Sequence, residues 1–397
     1  MESGSLALPT PFTPATTEAD ELLALRLIRS RRVGPATYFR LIAEFGTAGA
    51  ALDALPEVAR AAGVQGYAPC PEGVALAEMR AGRRAGARLV LHGQPDYPVA
   101  LGEISDAPPL FWAVGNTDLL SRPMVAMVGA RNASSLGLRM ARKLAEGMAA
   151  AGLVVVSGLA RGIDTAAHSA ALSSGTVAVL AGGVDVTYPS ENADLMREMA
   201  RRGLLLSEQP IGLQPQARHF PQRNRIISGL ARAVVVVEAA ARSGSLITAR
   251  LALDQGREVM AVPGHPLDAR AAGCNMLVRD GALLVRSGED VLAALGTLQP
   301  GGAPAFAAAP EPAARQPAHR ARSASAVNLA ACEAPALPTE VGLSATVLER
   351  IGPSPLAEDQ LIRDLALSAA ALAPVLLALE IDGQIERQPG GLLARVV

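Results

Sequence analysis

Between residues 124 and 285, short apolar runs alternate with longer segments of helical periodicity, and this alternation restricts the chain to few folds. The predicted strands are 124–128, 154–157, 177–180, 204–206, 234–237, 259–262 and 283–285. Helical patterns lie between several of them, at 135–151, 163–172, 191–202 and 245–254. Strands that are apolar on both faces and alternate with helices form parallel sheets covered on both sides. We therefore predict an α/β fold with a doubly wound, mostly parallel sheet.

A chain of 397 residues is too long for a single core, and its composition changes along its length. We predict a disordered tail at 1–17, a small helical domain at 18–85, the sheet domain at 86–298, an Ala/Pro-rich linker at 299–339 and a last domain at 340–397. That last domain has three helical patterns, at 345–351, 358–365 and 369–380, and then a hairpin pattern at 383–395. Three helices and a hairpin indicate a winged helix.

The N-terminal domain shows three short helical patterns, at 21–30, 36–44 and 48–55, and the first two are joined by Gly34-Pro35. A tight Gly-Pro turn between helices resembles a helix-hairpin-helix or sterile-alpha-motif unit, and some such units hold the DNA backbone. Arg29, Arg31 and Arg32 favour that interpretation. The alternative is a packing or dimerising domain, because short helical patterns are weakly diagnostic.

One basic segment stands out in a chain whose formal net charge is only −1. No acidic residue lies between Glu208 and Glu238, yet this interval contains Arg218, Arg223, Arg225 and Arg232. A helical pattern at 224–232 leads into the strand at 234–237, which places the arginines beside the rim of the sheet, where open α/β sheets bind ligands. Guanidinium groups match phosphate oxygens in pairs. The sequence therefore predicts a site for a phosphate-bearing ligand.

Small residues follow several predicted strands. Gly129-Ala-Arg131 precedes a helix that Ser134 or Ser135 can cap, and the positive end of that helix favours an anion. The segments 157–162, 182–185 and 243–245 supply further glycine turns, which allow a ligand to approach the backbone. The spacing and the lack of a ribose-binding acid disfavour NAD. For Asp164 and His168, one helical turn apart, a mutual pair is favoured over a catalytic dyad because no nucleophile accompanies them.

Phe220 lies beside His219, Arg223 and Arg225. An aromatic ring among arginines suits stacking on an unpaired base while guanidinium groups hold the strand's backbone. The same position, just before a helical pattern, equally suits a hydrophobic staple. The sequence leaves these two interpretations open.

Other features set limits on chemistry and location. Cys70, Cys274 and Cys332 are isolated and support neither a disulfide framework nor a zinc site, so we expect reduced thiols, no metal and no cofactor. No export segment and no apolar run long enough for a membrane span occurs, which predicts a cytoplasmic protein without membrane contact. Glycine turns and arginines without a paired acid and base indicate a binding groove and no enzyme activity.

Several ordered motifs together resemble the DNA processing protein A family (DprA, also called Smf). They are Gly129-Ala-Arg131, 157–164, 220–225 with Ile227, Glu238 with 243–249, and Pro263-Gly264 with 273–275. The resemblance implies an extended Rossmann-like domain that binds single-stranded DNA, forms a homodimer, protects incoming DNA and loads the RecA recombinase during natural transformation. By position, it implies that Arg131 and the segments 157–162 and 220–225 line the DNA groove.

The predicted DNA-binding set, which adds the serine-glycine turn after Glu238, is Arg131, Ser157, Gly158, Arg161, Gly162, Phe220, Arg223, Asn224, Arg225, Ser243 and Gly244. Two alternatives remain. The first is a nucleotide-binding hydrolase of the lysine-decarboxylase-like group, although Gly182-Gly183-Val184-Asp185 has only half of that group's motif. The second is a winged-helix regulator of duplex DNA, although the predicted recognition helix, 368–380, contains no Lys or Arg.

Overall fold

The computed structural model describes residues 17–297 and, within 346–395, separate stretches of the C-terminal segment. The predicted linker and all of the predicted tail except Thr17 lie outside the described residues. The chain divides into two units, 1–304 and 305–397. Among the helices in the described part of the chain, none is long and apolar enough to cross a membrane.

A nine-stranded sheet organises the first unit. Its strands are β1 (Arg88–Leu91), β2 (Leu110–Gly115), β3 (Met124–Gly129), β4 (Val154–Ser157), β5 (Thr176–Val179), β6 (Leu204–Ser207), β7 (Ala233–Val237), β8 (Glu258–Ala261) and β9 (Leu283–Leu284). In space they run β1-β2-β6-β5-β4-β3-β7-β8-β9. The seven strands from β6 to β9 are parallel, while β2 is antiparallel to both β1 and β6. The doubly wound, mostly parallel sheet is confirmed, and the antiparallel pair was not predicted.

The helices cover both faces of this sheet. They are α1 (Glu18–Arg29), α2 (Pro35–Phe45), α3 (Ala48–Ala61), α4 (Glu72–Arg84), α5 (Val99–Gly102), α6 (Ser135–Ala150), α7 (Ile163–Ala171), α8 (Ala193–Arg202), α9 (His219–Leu230), α10 (Ser245–Asp254), α11 (Ala272–Arg279) and α12 (Gly288–Thr297). The basic segment begins its helix at His219, five residues earlier than predicted, because Pro221 is tolerated in a first turn.

Alternation along each strand explains why these strands are apolar throughout. In β3, Ala126 and Val128 enter one core together with residues of α9 and α10, whereas Val125 and Met127 enter another together with residues of α6 and α7. All four side chains are buried. A strand with helices on both faces needs apolar residues at every position, and this produces the runs seen in the sequence.

The N-terminal helices α1 to α4 pack onto the β1-β2-β6 part of the sheet and share a core with it. Polar contacts fix this interface. The Arg29 guanidinium donates to both Glu78 oxygens, at 2.9–3.3 Å, and to the Glu208 carbonyl oxygen at 3.2 Å. Trp112 Nε1 donates to Glu78 Oε1 at 2.9 Å. Arg29 is therefore part of the interface between the helices and the sheet, whereas Arg31 and Arg32 are exposed.

The second unit contains a three-stranded antiparallel sheet, β10 (Leu356–Ala357), β12 (Leu392–Arg395) and β11 (Ile385–Gln388). The pairing of β11 with β12 confirms the predicted hairpin. Helical residues are described at 346–348, 361–362 and at positions between 365 and 379. Several of them, including Leu361, Leu372 and Leu376, form a buried cluster with Ile385 and Leu393.

Candidate nucleic-acid interface

A cleft opens where the strand order of the sheet reverses. From β3 the chain winds outward through β4, β5 and β6 in one direction, and through β7, β8 and β9 in the other. The crevice beyond the carboxyl ends of β3 and β7 is the position where doubly wound sheets bind ligands. A cavity of about 710 Å³ lies there. Its lining includes Gly129, Arg131, Asn132, Phe220, Arg223, Asn224, Arg242, Ser243, Gly244 and Arg270.

A second cavity of about 350 Å³ adjoins the first, beyond the ends of β4 and β5. It is lined by Gly158, Arg161, the segment 187–191 and four residues that also line the larger cavity, namely Arg131, Ala160, Phe220 and Arg223. The two cavities are therefore parts of one cleft with a shared wall.

The shared wall exposes the Arg131 guanidinium and the Phe220 ring, and the Tyr188 ring lies beside them in the smaller cavity. The Arg131 guanidinium carbon lies 5.0 Å from the centre of the Phe220 ring, within the range of a cation–π contact. The Tyr188 ring is 5.7 Å from the Phe220 ring, at an interplanar angle of 55°. Phe220 is only half-buried and faces cavities, which disfavours the hydrophobic-staple interpretation.

Arg223 forms the base of both cavities. It is buried, its Nη1 donates to the Val179 carbonyl oxygen at 3.0 Å, and its Nε has no hydrogen-bond partner among the described residues. Burial lowers the pKa of Arg223 to about 10, with the Asp164 carboxylate opposing that shift. The guanidinium remains charged at neutral pH. A cation in a poorly solvated position attracts an anion at the cleft more strongly than one in free solvent.

Gly158 lies against Arg223 for a steric reason. A Cβ atom at this position would be 1.5 Å from Arg223 Nη1, so no side chain fits there while Arg223 keeps its place. The turn that follows β4 is held by Asp164, whose carboxylate accepts hydrogen bonds from the Gly158 and Ala160 amides at 3.1 and 3.3 Å. Burial raises the pKa of Asp164, while Arg223 acts in the opposite direction.

Asp164 and His168 do not form the predicted pair. His168 Nε2 accepts from the Leu159 amide at 3.3 Å, and its Nδ1 lies 2.7 Å from Thr176 Oγ1. Because the Thr176 hydroxyl donates to the Val155 carbonyl, we assign the proton to Nδ1, which then donates to Thr176. Burial, together with the Arg223 charge, lowers the pKa of His168 to about 3. The imidazole is a neutral structural link beneath the turn.

The predicted anion site at the start of α6 is occupied by the protein itself. Ser134 caps the helix as expected, since its hydroxyl accepts from the Gly137 amide at 2.9 Å. The Glu238 carboxylate, however, accepts from the Ser134 amide at 2.9 Å and from its hydroxyl at 2.6 Å. Glu238 has a left-handed backbone, with φ 57°, at the end of β7. The prediction of a free anion site at this helix end was wrong.

The structure separates the predicted site residues into three groups. The first group lines the cleft. Gly158 and Arg161 line the smaller cavity, and six others line the larger one: Arg131, Phe220, Arg223, Asn224, Ser243 and Gly244. Ser157 and Gly162 support the turns without lining either cavity. The buried Ser157 hydroxyl donates to the Met127 carbonyl at 2.6 Å, and Gly162 has a φ of 79°, which favours glycine.

Arg225 does not lie in the cleft, contrary to the prediction. It is buried on the opposite side of α9, where it pairs with Glu208 and lies 3.5 Å from Asp106. Arg223 and Arg225 are two positions apart, and in a helix this spacing points their side chains in different directions. The acidic partners of Arg225 come from other segments of the chain. The absence of acidic residues near Arg225 in the sequence therefore did not mean that its charge was unpaired.

Some cleft residues were not predicted. Tyr188 lies in the long connection between β5 and α8, where no periodic pattern marks it. Arg242 immediately precedes the predicted Ser243-Gly244 turn, so the sequence could have placed it at the cleft together with that turn. Arg242 makes no ion pair with any described residue, whereas Arg270 is paired with Asp268 at 3.3 Å. Within the described residues, no group of three or more His, Cys, Asp or Glu side chains could hold a metal ion.

Comparison with known families accounts for three successive parts of the chain. Residues 88–296 match the model of DNA recombination-mediator protein A, which spans the whole of the sheet and cleft. The chain belongs to the DNA recombination-mediator protein A family. Residues 18–81 match the DprA-like N-terminal HHH domain of this family, and residues 331–391 match its winged-helix domain. The helical module and the winged helix predicted from the sequence are thus family domains.

Individual members of the DNA recombination-mediator protein A family agree with this assignment. The chain is 52% identical to a DNA processing protein DprA of Streptococcus pneumoniae over 199 residues, covering 50% of this chain and 70% of the relative. It is 36% identical to a Protein Smf of Synechocystis over 311 residues, covering 75% and 77%. An X-ray structure of DprA from Streptococcus pneumoniae superposes with a TM-score of 0.59 at 38% identity, covering 70% of this chain and 98% of that one.

Membership in this family decides between the classes of function left open by the sequence. A recombination mediator acts on DNA by binding it, and the chain therefore belongs with DNA-binding mediators and not with nucleotide hydrolases. The cleft agrees with that class, since arginines, aromatic rings and small residues are prominent in its lining.

Proposed function

We propose that this protein binds single-stranded DNA in the cleft formed by the two cavities and acts there as a recombination mediator. The observation that carries the proposal is the wall of Arg131, Phe220 and Tyr188, which places a cation and two aromatic rings at the switch point of the sheet. An unpaired strand offers the two matching groups, namely phosphates and accessible base faces.

The residues of the cleft divide between these two groups. Arg131 and Arg242 are exposed and make no ion pair with other described residues, so they are available to phosphates. The buried charge of Arg223 adds attraction from the base of the cleft. Phe220 offers its ring for stacking, which requires a base that is not paired. Binding should therefore weaken with added salt and depend little on the overall sequence.

The resemblance to the DprA family extends the proposal to partners. We propose that the bound strand is protected and passed to RecA during natural transformation, and that the protein forms a homodimer. One feature of the fold supports the dimer: β9 is an edge strand, and its Leu283 and Leu284 are 43% and 46% exposed. Apolar side chains on an open edge favour pairing with another chain. Sedimentation velocity of the full chain measures this directly.

The DNA-binding proposal is tested with a fluorescent oligo-dT of twenty nucleotides, using anisotropy at two salt concentrations. We expect Arg131→Ala and Phe220→Ala each to weaken binding by roughly fivefold or more, because each removes a phosphate contact or a stacking surface. Arg250→Ala is the matched control, since Arg250 is exposed on α10 but lines neither cavity.

The competitor in the same assay is an unlabelled duplex of equal length. We expect it to displace the labelled strand poorly, since its bases are already stacked and paired. Equal loss of binding in Arg131→Ala and Arg250→Ala would mean that the arginine effect comes from net charge and not from the cleft. Unchanged binding in both cleft variants would mean that the strand binds elsewhere.

A further inference from the structure

The smaller cavity differs from the larger one in carrying an exposed carboxylate. Glu191 lines it, and Arg161 Nη1 lies 3.6 Å from Glu191 Oε1. The Ser190 hydroxyl is 3.3 Å from the other carboxylate oxygen. Both side chains of the ion pair are more than half exposed, at 62% for Arg161 and 59% for Glu191. The mouth of this cavity therefore presents a hydrogen-bond acceptor and a donor side by side.

An ionised carboxylate is unfavourable in a phosphate site. The pKa of Glu191 is lowered, first by its own backbone N–H and then by Ser190 and Arg161, so the group is charged at neutral pH. Because Glu191 would repel a phosphate, the sugar-phosphate backbone of a bound strand is not expected to continue from the larger cavity into this one. The group that fits it must instead offer a hydrogen-bond donor.

The remaining walls of the smaller cavity are suited to a flat ring. Tyr188 is 47% exposed there, and Phe220 lies on the wall shared with the larger cavity. A strand whose phosphates lie along Arg131 can turn one base into this space. Bases of single strands present their Watson–Crick edges as well as their faces, and a glutamate accepts hydrogen bonds from an amino group on such an edge.

We propose that the smaller cavity binds one nucleobase with an exocyclic amino group, stacked against Tyr188 and donating to the Glu191 carboxylate. This inference rests on the proposed binding of single-stranded DNA and adds a base preference to it. Guanine fits best because it offers two adjacent N–H donors to Glu191 and a carbonyl oxygen to Arg161. Cytosine and adenine each offer one amino group. Thymine has no amino group, and its one donor, N3–H, lies between two carbonyl oxygens that the carboxylate would repel.

The test compares oligo-dT with an oligomer of the same length in which isolated guanines replace every fourth thymine. Both are titrated against the full chain by fluorescence anisotropy. We expect the guanine-containing strand to bind roughly fivefold tighter or more, the size expected for a charge-assisted hydrogen bond gained. Glu191→Gln should bring the ratio of the two affinities close to one.

Three further variants separate the role of the carboxylate charge from that of the aromatic ring. Glu198→Gln removes a negative charge from α8 without touching either cavity, so it should leave the ratio as in the wild type. Tyr188→Ala should weaken binding of both strands and reduce the ratio, whereas Tyr188→Phe should retain most of each, because stacking uses the ring and not the hydroxyl.

The outcomes distinguish this inference from the function on which it rests. Tight binding of both strands with equal affinity overturns the base preference and leaves single-strand binding intact. A preference that persists in Glu191→Gln places its origin outside this cavity and also overturns the proposal. Absence of binding to either strand would overturn the proposed function itself.

Discussion

At the scale of single residues, the cleft depends on what lies next to each arginine more than on how many arginines there are. Arg131 is exposed and stacked on Phe220, Arg223 is buried at the cleft base, and Arg225 forms an ion pair with Glu208 away from the cleft. The position of Arg223 in turn requires that residue 158 have no side chain.

Replacing Gly158 by alanine tests this requirement. The added methyl group would overlap Arg223 Nη1, so the guanidinium must leave its place or the turn must shift. We expect Gly158→Ala to lower the free energy of unfolding by about 1 to 3 kcal/mol, as overpacking does, and to weaken binding of single strands. Urea denaturation and oligo-dT anisotropy measure the two effects.

Gly73→Ala is the matched control for that experiment. Gly73 lies in α4 with nothing within 4 Å of the position of an added Cβ, so alanine there should be neutral or stabilising. If Gly158→Ala behaved like Gly73→Ala in both assays, the close fit between residue 158 and Arg223 would not matter to the protein.

The sequence predicted the chemistry of the site better than the positions of individual side chains. Arg131 and Phe220 were found because each follows a recognisable turn or motif. Arg225 was misplaced because its partners, Glu208 and Asp106, belong to other segments. Tyr188 was missed since a loop residue acquires its position from packing, and loops have no periodicity from which packing can be predicted.

At the scale of elements, the turn after β4 is held by a neutral histidine on α7. His168 connects the Leu159 amide to Thr176 at the start of β5 and is completely enclosed. Its pKa of about 3 lies below the ordinary value of about 6.5 for an unfolded chain. The unfolded chain therefore binds a proton in a pH range where the folded protein does not.

This difference predicts acid sensitivity. A lowered folded pKa means that stability is complete above pH 6.5 and is lost progressively as the pH falls towards 3. Between pH 7.5 and 5 we expect the wild type to lose about 2 kcal/mol more unfolding free energy than His168→Gln, which has no titrating group there. Urea denaturation at the two pH values measures the difference, and His265→Gln, in an exposed loop, is the control. Equal losses in wild type and His168→Gln would contradict the neutral assignment.

The elements of the parallel sheet were predictable because burial on both faces leaves continuous apolar runs. The strand predicted at 154–157 matches β4 residue for residue, and the others differ by only one or two residues at their ends. The strands β1 and β2 were not predicted. Their place in the sheet comes from antiparallel pairing with each other and with β6, and β2 and β6 are separated by almost ninety residues of chain. Such long-range pairing leaves no local periodic pattern.

At the scale of the whole first unit, the helical module and the sheet form one folded body joined through Glu78. This residue of α4 accepts from Arg29 of α1 and from Trp112 of β2, so it connects two helices to the sheet. Trp112 is the only tryptophan in the chain and is buried at this interface. Its fluorescence therefore reports specifically on the docking of the module.

Removing the shared acceptor should loosen the whole unit. Glu78→Ala leaves a half-buried guanidinium and an indole N–H without their partner, and we expect a loss of about 2 to 4 kcal/mol of unfolding free energy. In urea, the emission of Trp112 should shift to longer wavelength at a lower concentration than in the wild type. Glu57→Ala, on the exposed side of α3, is the control. A Trp112 transition unchanged from the wild type would show that apolar packing alone docks the module.

The carboxylate of Glu238 at the start of α6 has a consequence for how a strand leaves the protein. A helix end with free amides would retain a phosphate tightly, whereas here an internal competitor already fills that position. Elsewhere in the cleft, side chains that line it, such as Arg131 and Phe220, are available to a strand, and contacts of this kind can break one at a time. A strand held by such contacts can be released stepwise, because no single tight contact has to break at once.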